Sequence, residues 1–203
     1  MKRAKSGRPV NPLAERIKVG TCGFAMRRAE YYRTFPVVEI QQSFYKLPRV
    51  TTGERWSAGA PPGFEFTMKA WQLITHEPFS PTYRRLGKPI PAEMKDRYGS
   101  FRSTEEVLAA WAQTRAFADA LGATIIVFQC PPRFTPTPEH IANLRKFFTS
   151  IDRAGWKAAV YKDRHPARQW PSQAPWAGMA GGSIHPTLPS VRRYTKFTRP
   201  LLA

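Results

Sequence analysis

The chain has few acidic residues, only two cysteines and no long apolar run. Its 203 residues include 14 Asp or Glu against 32 Lys or Arg, which gives a net charge of +18. Two cysteines, Cys22 and Cys130, exclude a disulfide framework and favour a reducing compartment, so we expect the cytoplasm. No apolar stretch approaches the ~20 residues of a membrane span, and no membrane partner is expected.

The excess of positive charge predicts an anionic partner, either a phosphorylated small molecule or nucleic acid. No nucleic-acid-binding motif accompanies the charge, which by itself is also explained by an Arg-rich composition. No GxGxxG turn or phosphate-binding Gly loop is present, so no nucleotide cofactor is expected. Cys22, Cys130, His76 and Glu39 lack the CxxC or HxxxH spacing of a metal site, and no metal is expected.

Apolar strands alternate with amphipathic helices along the first three quarters of the chain. Strands are predicted at 16–22, 37–41, 64–69, 124–129 and 156–161. Helices are predicted at 27–33, 105–121 and 138–151, and a further short helix is predicted around Trp56, with Thr51 or Thr52 as its cap. A capping box at Ser103–Glu106, Gly122 and the pair Thr137-Pro138 mark helix ends. This order predicts a parallel sheet, as an open doubly wound sheet or as a (β/α) barrel.

Three segments are expected to lie outside the regular core. Residues 1–15 form a flexible basic arm, and the Pro-rich residues 77–102 pass over the rim rather than enter the core. The barrel-like domain covers 16–162, and an irregular basic tail covers 163–203. From Arg153 to the end there are nine Lys or Arg and one acid, Asp163. We expect either a non-native continuation, as a reading-frame shift would produce, or an unusual natural tail.

Polar side chains follow the predicted strands where a parallel α/β protein places its ligand. Glu39, Lys69 and His76 are the catalytic candidates, because a carboxylate, an amine and an imidazole can move protons or hold an anion. The alternatives are a structural Glu39–Lys69 ion pair and a surface role for His76. Neutral hydrogen-bonding residues are predicted to orient the substrate: Thr21, Gln42, Ser43, Tyr45 and Gln129.

Several motifs in order resemble one family. They are Val19–Phe24, Val38-Glu39-Ile40, Ser43-Phe44-Tyr45, Pro62-Gly63-Phe64, Thr75-His76 and Phe128–Pro132. Over about residues 16–150 the chain resembles the YecE-like family, domain of unknown function 72. The resemblance implies a TIM-barrel-like fold, here expected to be incomplete. It also implies a Glu-x-Arg pattern after strand five, where Arg164 could bind substrate but the glutamate has no counterpart.

Three hypotheses for function remain open from the sequence. The first is an enzyme on an anionic substrate, phosphorylated or nucleic-acid-derived, with Glu39 and His76 as acid–base groups and Lys69 and Arg164 holding the anion. The second is a non-catalytic nucleic-acid-binding protein. The third is an inactive family member that is truncated or frame-shifted.

Overall fold

The structure, a computed structural model, describes residues 17–87, 89–152 and, for the backbone alone, 157–162. Its strands are β1 (Gly20–Cys22), β2 (Val37–Ile40), β3 (Glu65–Lys69), β4 (Ala123–Cys130) and β5 (Lys157–Lys162). Its α-helices are α1 (Arg28–Thr34), α2 (Gln42–Tyr45), α3 (Val50–Ala58), α4 (Gln72–Thr75), α5 (Glu105–Leu121) and α6 (Pro138–Ser150). Two 3₁₀ helices cover Pro81–Arg85 and Ala92–Arg97. The predicted arm and tail, 1–15 and 163–203, lie outside the described residues.

The sheet is parallel throughout, and its strands are ordered β1-β2-β3-β4-β5, as they are in the chain. A doubly wound sheet reverses its strand order at a switch point, whereas a barrel adds each strand beside the previous one. The observed order therefore selects the TIM-barrel-like alternative. Within the described residues, β1 and β5 are the two edges of the sheet.

One face of the sheet packs against the helices and forms the core. Alternate side chains of three strands are buried there: Val38, Ile40, Phe66, Met68, Ile126 and Phe128. Phe128 lies at the centre of an aromatic cluster, with ring centroids 5.2–5.9 Å from Trp111, Phe147 and Phe148. Because successive strand residues point to opposite faces, the polar residues between these apolar ones lie on the other face.

Gly122 and the Thr137-Pro138 pair mark helix ends as predicted, whereas the cap of α5 is Thr104 rather than Ser103 of the predicted capping box. The Thr104 hydroxyl accepts from the Val107 N–H at 3.4 Å and begins α5. Gly122 ends α5, and its N–H donates to the carbonyls of Ala118 and Asp119. The Thr137 hydroxyl accepts from the His140 N–H at 3.2 Å and begins α6. These bonds satisfy donors that a helix leaves unpaired. None of the helices in the described ranges is long and apolar enough to cross a membrane.

Three local predictions were wrong. β1 begins at Gly20 rather than at residue 16, and Ile17 and Val19 precede it as exposed side chains. α3 begins at Val50 after Arg49, with no side-chain cap from the threonines that follow. The short helices α2 and α4, directly after β2 and β3, were not predicted, because four residues are too few to show a helical period.

The segment 77–102 contributes to the core, which corrects the expectation that it only crosses the rim. Leu86 and Phe101 are buried in the main apolar cluster. The N–H groups of Gly99, Ser100 and Phe101 donate to carbonyls of α4, at 2.9, 3.2 and 2.9 Å. This turn therefore closes the end of α4, and an irregular segment gives no periodic signal of such burial.

Candidate functional site

The candidate site lies on the sheet face opposite the helix-covered core. Strand register places Cys22 beside Glu39, Glu39 beside Thr67 and Thr67 beside Ile125. A cavity of about 340 Å³ opens on this face, within the usual size for a small-molecule pocket. Its lining residues are Lys18, Gly20, Thr21, Val37, Glu39, Glu65, Thr67 and Ile125.

Three of the predicted candidates, Glu39, Lys69 and Gln129, come from neighbouring strands and share this face. The Lys69 ammonium Nζ donates to the Gln129 amide oxygen Oε1 at 2.6 Å. The alternative of a Glu39–Lys69 ion pair is not supported, because the ion pairs found in the described ranges do not include it. The hydrogen-bond partner of Lys69 on this face is therefore a neutral amide rather than a carboxylate.

Cys22 adds a thiol to this group of side chains. Its Sγ lies 3.6 Å from the Glu39 carboxylate oxygen Oε1. Burial of the thiol, followed by the charge of Glu39 and this hydrogen bond, raises the pKa of Cys22 to about 11, and the Lys69 charge opposes the increase. At neutral pH the thiol stays protonated, so it acts as a donor to Glu39 rather than as a nucleophile.

We expect the reactivity of Cys22 to report on this electrostatic arrangement. With a pKa of about 11, about one Cys22 thiol in a thousand is ionised near pH 8, so alkylation by iodoacetamide should be slow. Glu39→Gln removes the neighbouring negative charge and should lower the pKa of Cys22 and speed alkylation severalfold. Lys69→Gln removes the opposing positive charge and should slow it.

The measurement is the alkylation rate against pH, with peptide mapping to separate Cys22 from the buried Cys130. Because the pKa is raised, the rate should continue to increase well above pH 9, where an ordinary thiol is already ionised. Equal rates in the wild type and both variants would contradict the placement of Glu39 and Lys69 beside the thiol.

The cavity lining includes three residues that the sequence reasoning missed, Lys18, Glu65 and Thr67. Lys18 Nζ lies 3.0 Å from Glu65 Oε2, and the Thr124 hydroxyl donates to Glu65 Oε1 at 2.6 Å. Thr67 lies between Glu65 and Lys69 on the same face. The alternation of polar and apolar residues along β3 was visible in the sequence and was the signal that could have identified Glu65 and Thr67.

Two predicted substrate-binding residues make structural contacts. The Thr21 hydroxyl donates to the Gly23 carbonyl at 2.6 Å and lies 2.9 Å from the hydroxyl of the buried Tyr31. The Ser43 hydroxyl is buried and lies 2.6 Å from the Ile40 carbonyl and 2.7 Å from the Lys69 carbonyl. Ser43 therefore joins the ends of β2 and β3 and positions the backbone of Lys69.

His76 and Tyr45 belong to a second cluster in the loops after β2 and β3. The Phe44 ring contacts both, with centroids 4.9 Å from His76 and 5.1 Å from Tyr45. His76 is 5% exposed, and its Nδ1 lies 2.9 Å from the Thr75 hydroxyl. Its role as an acid–base group stays a prediction, as do the substrate-binding roles of Tyr45 and the exposed Gln42. Arg164 lies outside the described residues.

The two cysteines are free and lie on opposite sides of the sheet. Cys130 is buried with the core, and Cys22 is exposed on the site face. In the part of the chain that the structure describes, no three His, Cys, Asp or Glu side chains are grouped as metal ligands. The residues considered for a metal site thus do not form a ligand set there.

Comparison with known proteins places the chain among proteins of unassigned activity. A family model described as protein of unknown function DUF72 matches residues 22–170, which extends past the end at about residue 150 expected from the motifs. UPF0759 protein YunF of Bacillus subtilis (strain 168) is 29% identical over 115 residues, which are 57% of this chain and 35% of that protein.

Solved structures of the same family are similar in fold. A DUF72 family protein of Enterococcus faecalis V583 aligns with a TM-score of 0.50 at 20% identity, over 70% of this chain and 49% of that one. A DUF72 family protein of Thermotoga maritima MSB8 aligns with a TM-score of 0.47 at 19% identity, over 73% and 58%. The matched region thus spans about a third of the curated relative and about half of the Enterococcus structure.

Proposed function

Because the chain belongs to the DUF72 family of proteins of unknown function, we propose its activity from the chemistry of the site itself. The face formed by Glu39, Lys69 and Gln129 binds an anionic substrate, phosphorylated or nucleic-acid-derived, and acts on it by acid–base chemistry. The observation that carries this proposal is the Lys69 ammonium, held at 2.6 Å by Gln129 on the same face as the Glu39 carboxylate.

Lys69 is suited to hold an anionic oxygen. An ammonium has three N–H donors, and Gln129 accepts from one of them, which leaves two that can reach a phosphate or carboxylate oxygen. Charge-assisted hydrogen bonds of this kind are about twice as strong as neutral ones. The net charge of +18 further raises the local concentration of anions around the protein.

Glu39 is suited to accept and return a proton. Its carboxylate lines the cavity, and the protonated Cys22 thiol donates to Oε1, which holds the group in one orientation. A carboxylate within reach of a bound water or substrate hydroxyl can take its proton and later deliver it to the leaving group. His76 remains the second acid–base candidate, and Arg164 remains a second candidate for anion binding.

The test compares Lys69→Gln with Lys146→Gln, which removes the same charge from an exposed position of α6. Binding of inorganic phosphate and of a nucleoside monophosphate is measured by calorimetry. Lys69→Gln should weaken binding about tenfold or more, since a hydrogen bond to a charged group contributes about 1.5–3 kcal/mol. Lys146→Gln should bind as the wild type does.

The acid–base role is tested in the same variants with a panel of chromogenic phosphate esters. Glu39→Gln should lower turnover by about 10²-fold or more while phosphate binding persists, because it removes the proton acceptor but not the ammonium. Equal losses of binding in Lys69→Gln and Lys146→Gln would show that the anion responds to the total charge of the protein and not to a site at Lys69. Unchanged turnover in Glu39→Gln would contradict its assigned role.

A further inference from the structure

Two arginine–aromatic pairs lie on the loops that follow β2, β3 and β4. The Arg85 guanidinium carbon lies 4.4 Å from the centroid of the Tyr45 ring. The Arg133 guanidinium carbon lies 5.5 Å from the centroid of the Phe79 ring. We call these four residues the rim pairs. Three of them, Phe79, Arg85 and Arg133, have no part in the activity proposed above.

The topology places both pairs at one end of the sheet. Tyr45 ends α2, which follows β2, Phe79 lies in the loop after α4 and β3, and Arg133 lies just after β4. Arg85 ends the 3₁₀ helix that begins at residue 81, two residues after Phe79, and that helix packs against α2. Because the carboxyl ends of parallel strands meet at one edge, both rim pairs lie at the same edge of the sheet.

Phe79 is unusually exposed to solvent for an aromatic residue. At 66% exposure it is the most exposed large apolar side chain among the described residues. One side of its ring is next to Arg133, and most of its surface is open to a partner. A single exposed apolar residue is ordinary, but an exposed aromatic ring next to a guanidinium is a surface on which a flat ring can stack.

The charge around the rim pairs is positive. Arg84, Arg85 and Arg133 are all exposed, and their guanidinium groups can contact phosphates. The acid closest in sequence, Glu77, is neutralised by Arg102 at 2.9 Å and accepts from the Ser100 hydroxyl at 3.3 Å. The surface therefore combines stacking faces with exposed positive charge, the two elements of non-specific single-strand binding.

We propose that the rim pairs bind single-stranded nucleic acid, with an unpaired base stacked on Phe79 and the backbone phosphates contacted by Arg85 and Arg133. A duplex fits less well, because its bases are already stacked and their faces are hidden. A mononucleotide would use only one of the two pairs. The inference goes beyond the proposed function, since binding at the rim requires neither Glu39 nor Lys69.

The test is fluorescence anisotropy with a labelled oligothymidylate of about twenty nucleotides and with a duplex of equal length. Phe79→Ala should weaken single-strand binding roughly tenfold and leave the salt dependence unchanged, because it removes a stacking face and no charge. Its control is Leu108→Ala, another exposed apolar residue, on α5. Leu108→Ala should bind as the wild type does.

Arg133→Gln should weaken binding and reduce by about one the slope of log affinity against log salt, between about 50 and 200 mM. Arg145→Gln removes the same charge from the exposed side of α6 and should have little effect. Phe79→Ala should leave the binding of inorganic phosphate unchanged in calorimetry, so failure of this proposal and failure of the phosphate site are separate results.

Four outcomes would overturn the proposal. They are wild-type affinity in Phe79→Ala, equal losses in Arg133→Gln and Arg145→Gln, tighter binding of the duplex than of the single strand, and no wild-type binding at about 50 mM salt. Each variant is checked by thermal unfolding, and because the changed side chains are exposed, we expect all of them to fold.

Discussion

Gly99→Ala should lower the free energy of unfolding by about 3 kcal/mol. About 1–2 kcal/mol of this loss comes from left-handed backbone strain, and at least as much comes from overpacking around the added methyl group. Gly99 has φ +78°, a region that an alanine side chain disfavours. A Cβ at this position would lie 2.5 Å from the carbonyl carbon and oxygen of His76. Both contacts are with backbone, so the turn that closes α4 would have to move.

The matched control is Gly63→Ala, because Gly63 has a similar φ of +81° but no atom within 4 Å of the added Cβ. This control isolates the backbone strain, and we expect Gly63→Ala to lower the free energy of unfolding by about 1 kcal/mol. The measurement is the free energy of unfolding from urea titrations of the three proteins. Equal losses in the two variants would show that the approach of Gly99 to His76 is not tight.

Phe128→Ala should cost about 3–5 kcal/mol, the second large effect, because it opens a cavity among aromatic side chains that cannot close it by small movements. The Phe128 ring is fully buried, with its centroid 5.8 Å from that of Phe101 and 5.2 Å from that of Phe148. Since small domains are stable by only about 5–15 kcal/mol, this loss is a large share of the total.

Phe79→Ala serves as the control for Phe128→Ala. Both variants remove the same side chain, but Phe79 is 66% exposed, so its loss should change the free energy of unfolding by about 0.5 kcal/mol or less. Chemical denaturation of both variants provides the comparison. A loss for Phe128→Ala as small as that for Phe79→Ala would contradict the central position of Phe128 in the core.

These comparisons also separate stability from binding. Phe79→Ala is expected to weaken single-strand binding without changing stability, while Phe128→Ala is expected to lower stability without touching the rim. A variant that loses binding with an unchanged unfolding transition therefore reports on the surface and not on the fold.

Local features of the sequence were sufficient for most of the secondary structure. The Thr137 cap and the end of α5 at Gly122 depend on neighbouring residues alone, and the structure confirms them. The alternating pattern of β3 and the apolar runs of β2 and β4 located these strands to within one or two residues. The motifs also identified the family, although they ended about twenty residues before the region that the family model matches.

The candidate site was partly accessible from the sequence. Glu39, Lys69 and Gln129 were selected because each lies at the carboxyl side of a predicted strand, and the sheet brings them to one face. The sequence did not show that Cys22 rather than Thr21 contacts Glu39, because a shift of one residue in register exchanges the two faces. It also did not show that Gln129, and not Glu39, accepts from Lys69.

The sequence by itself determined the longer helices, most of the strands, their parallel character and the strand ends where polar residues gather, because these depend on periodicity and on caps within a few residues. Only the tertiary structure decided the sequential strand order, the burial of Leu86 and Phe101 and the pairing of Phe79 with Arg133. Such contacts join residues far apart in the chain, and their energies depend on packing and distance, which no local pattern encodes.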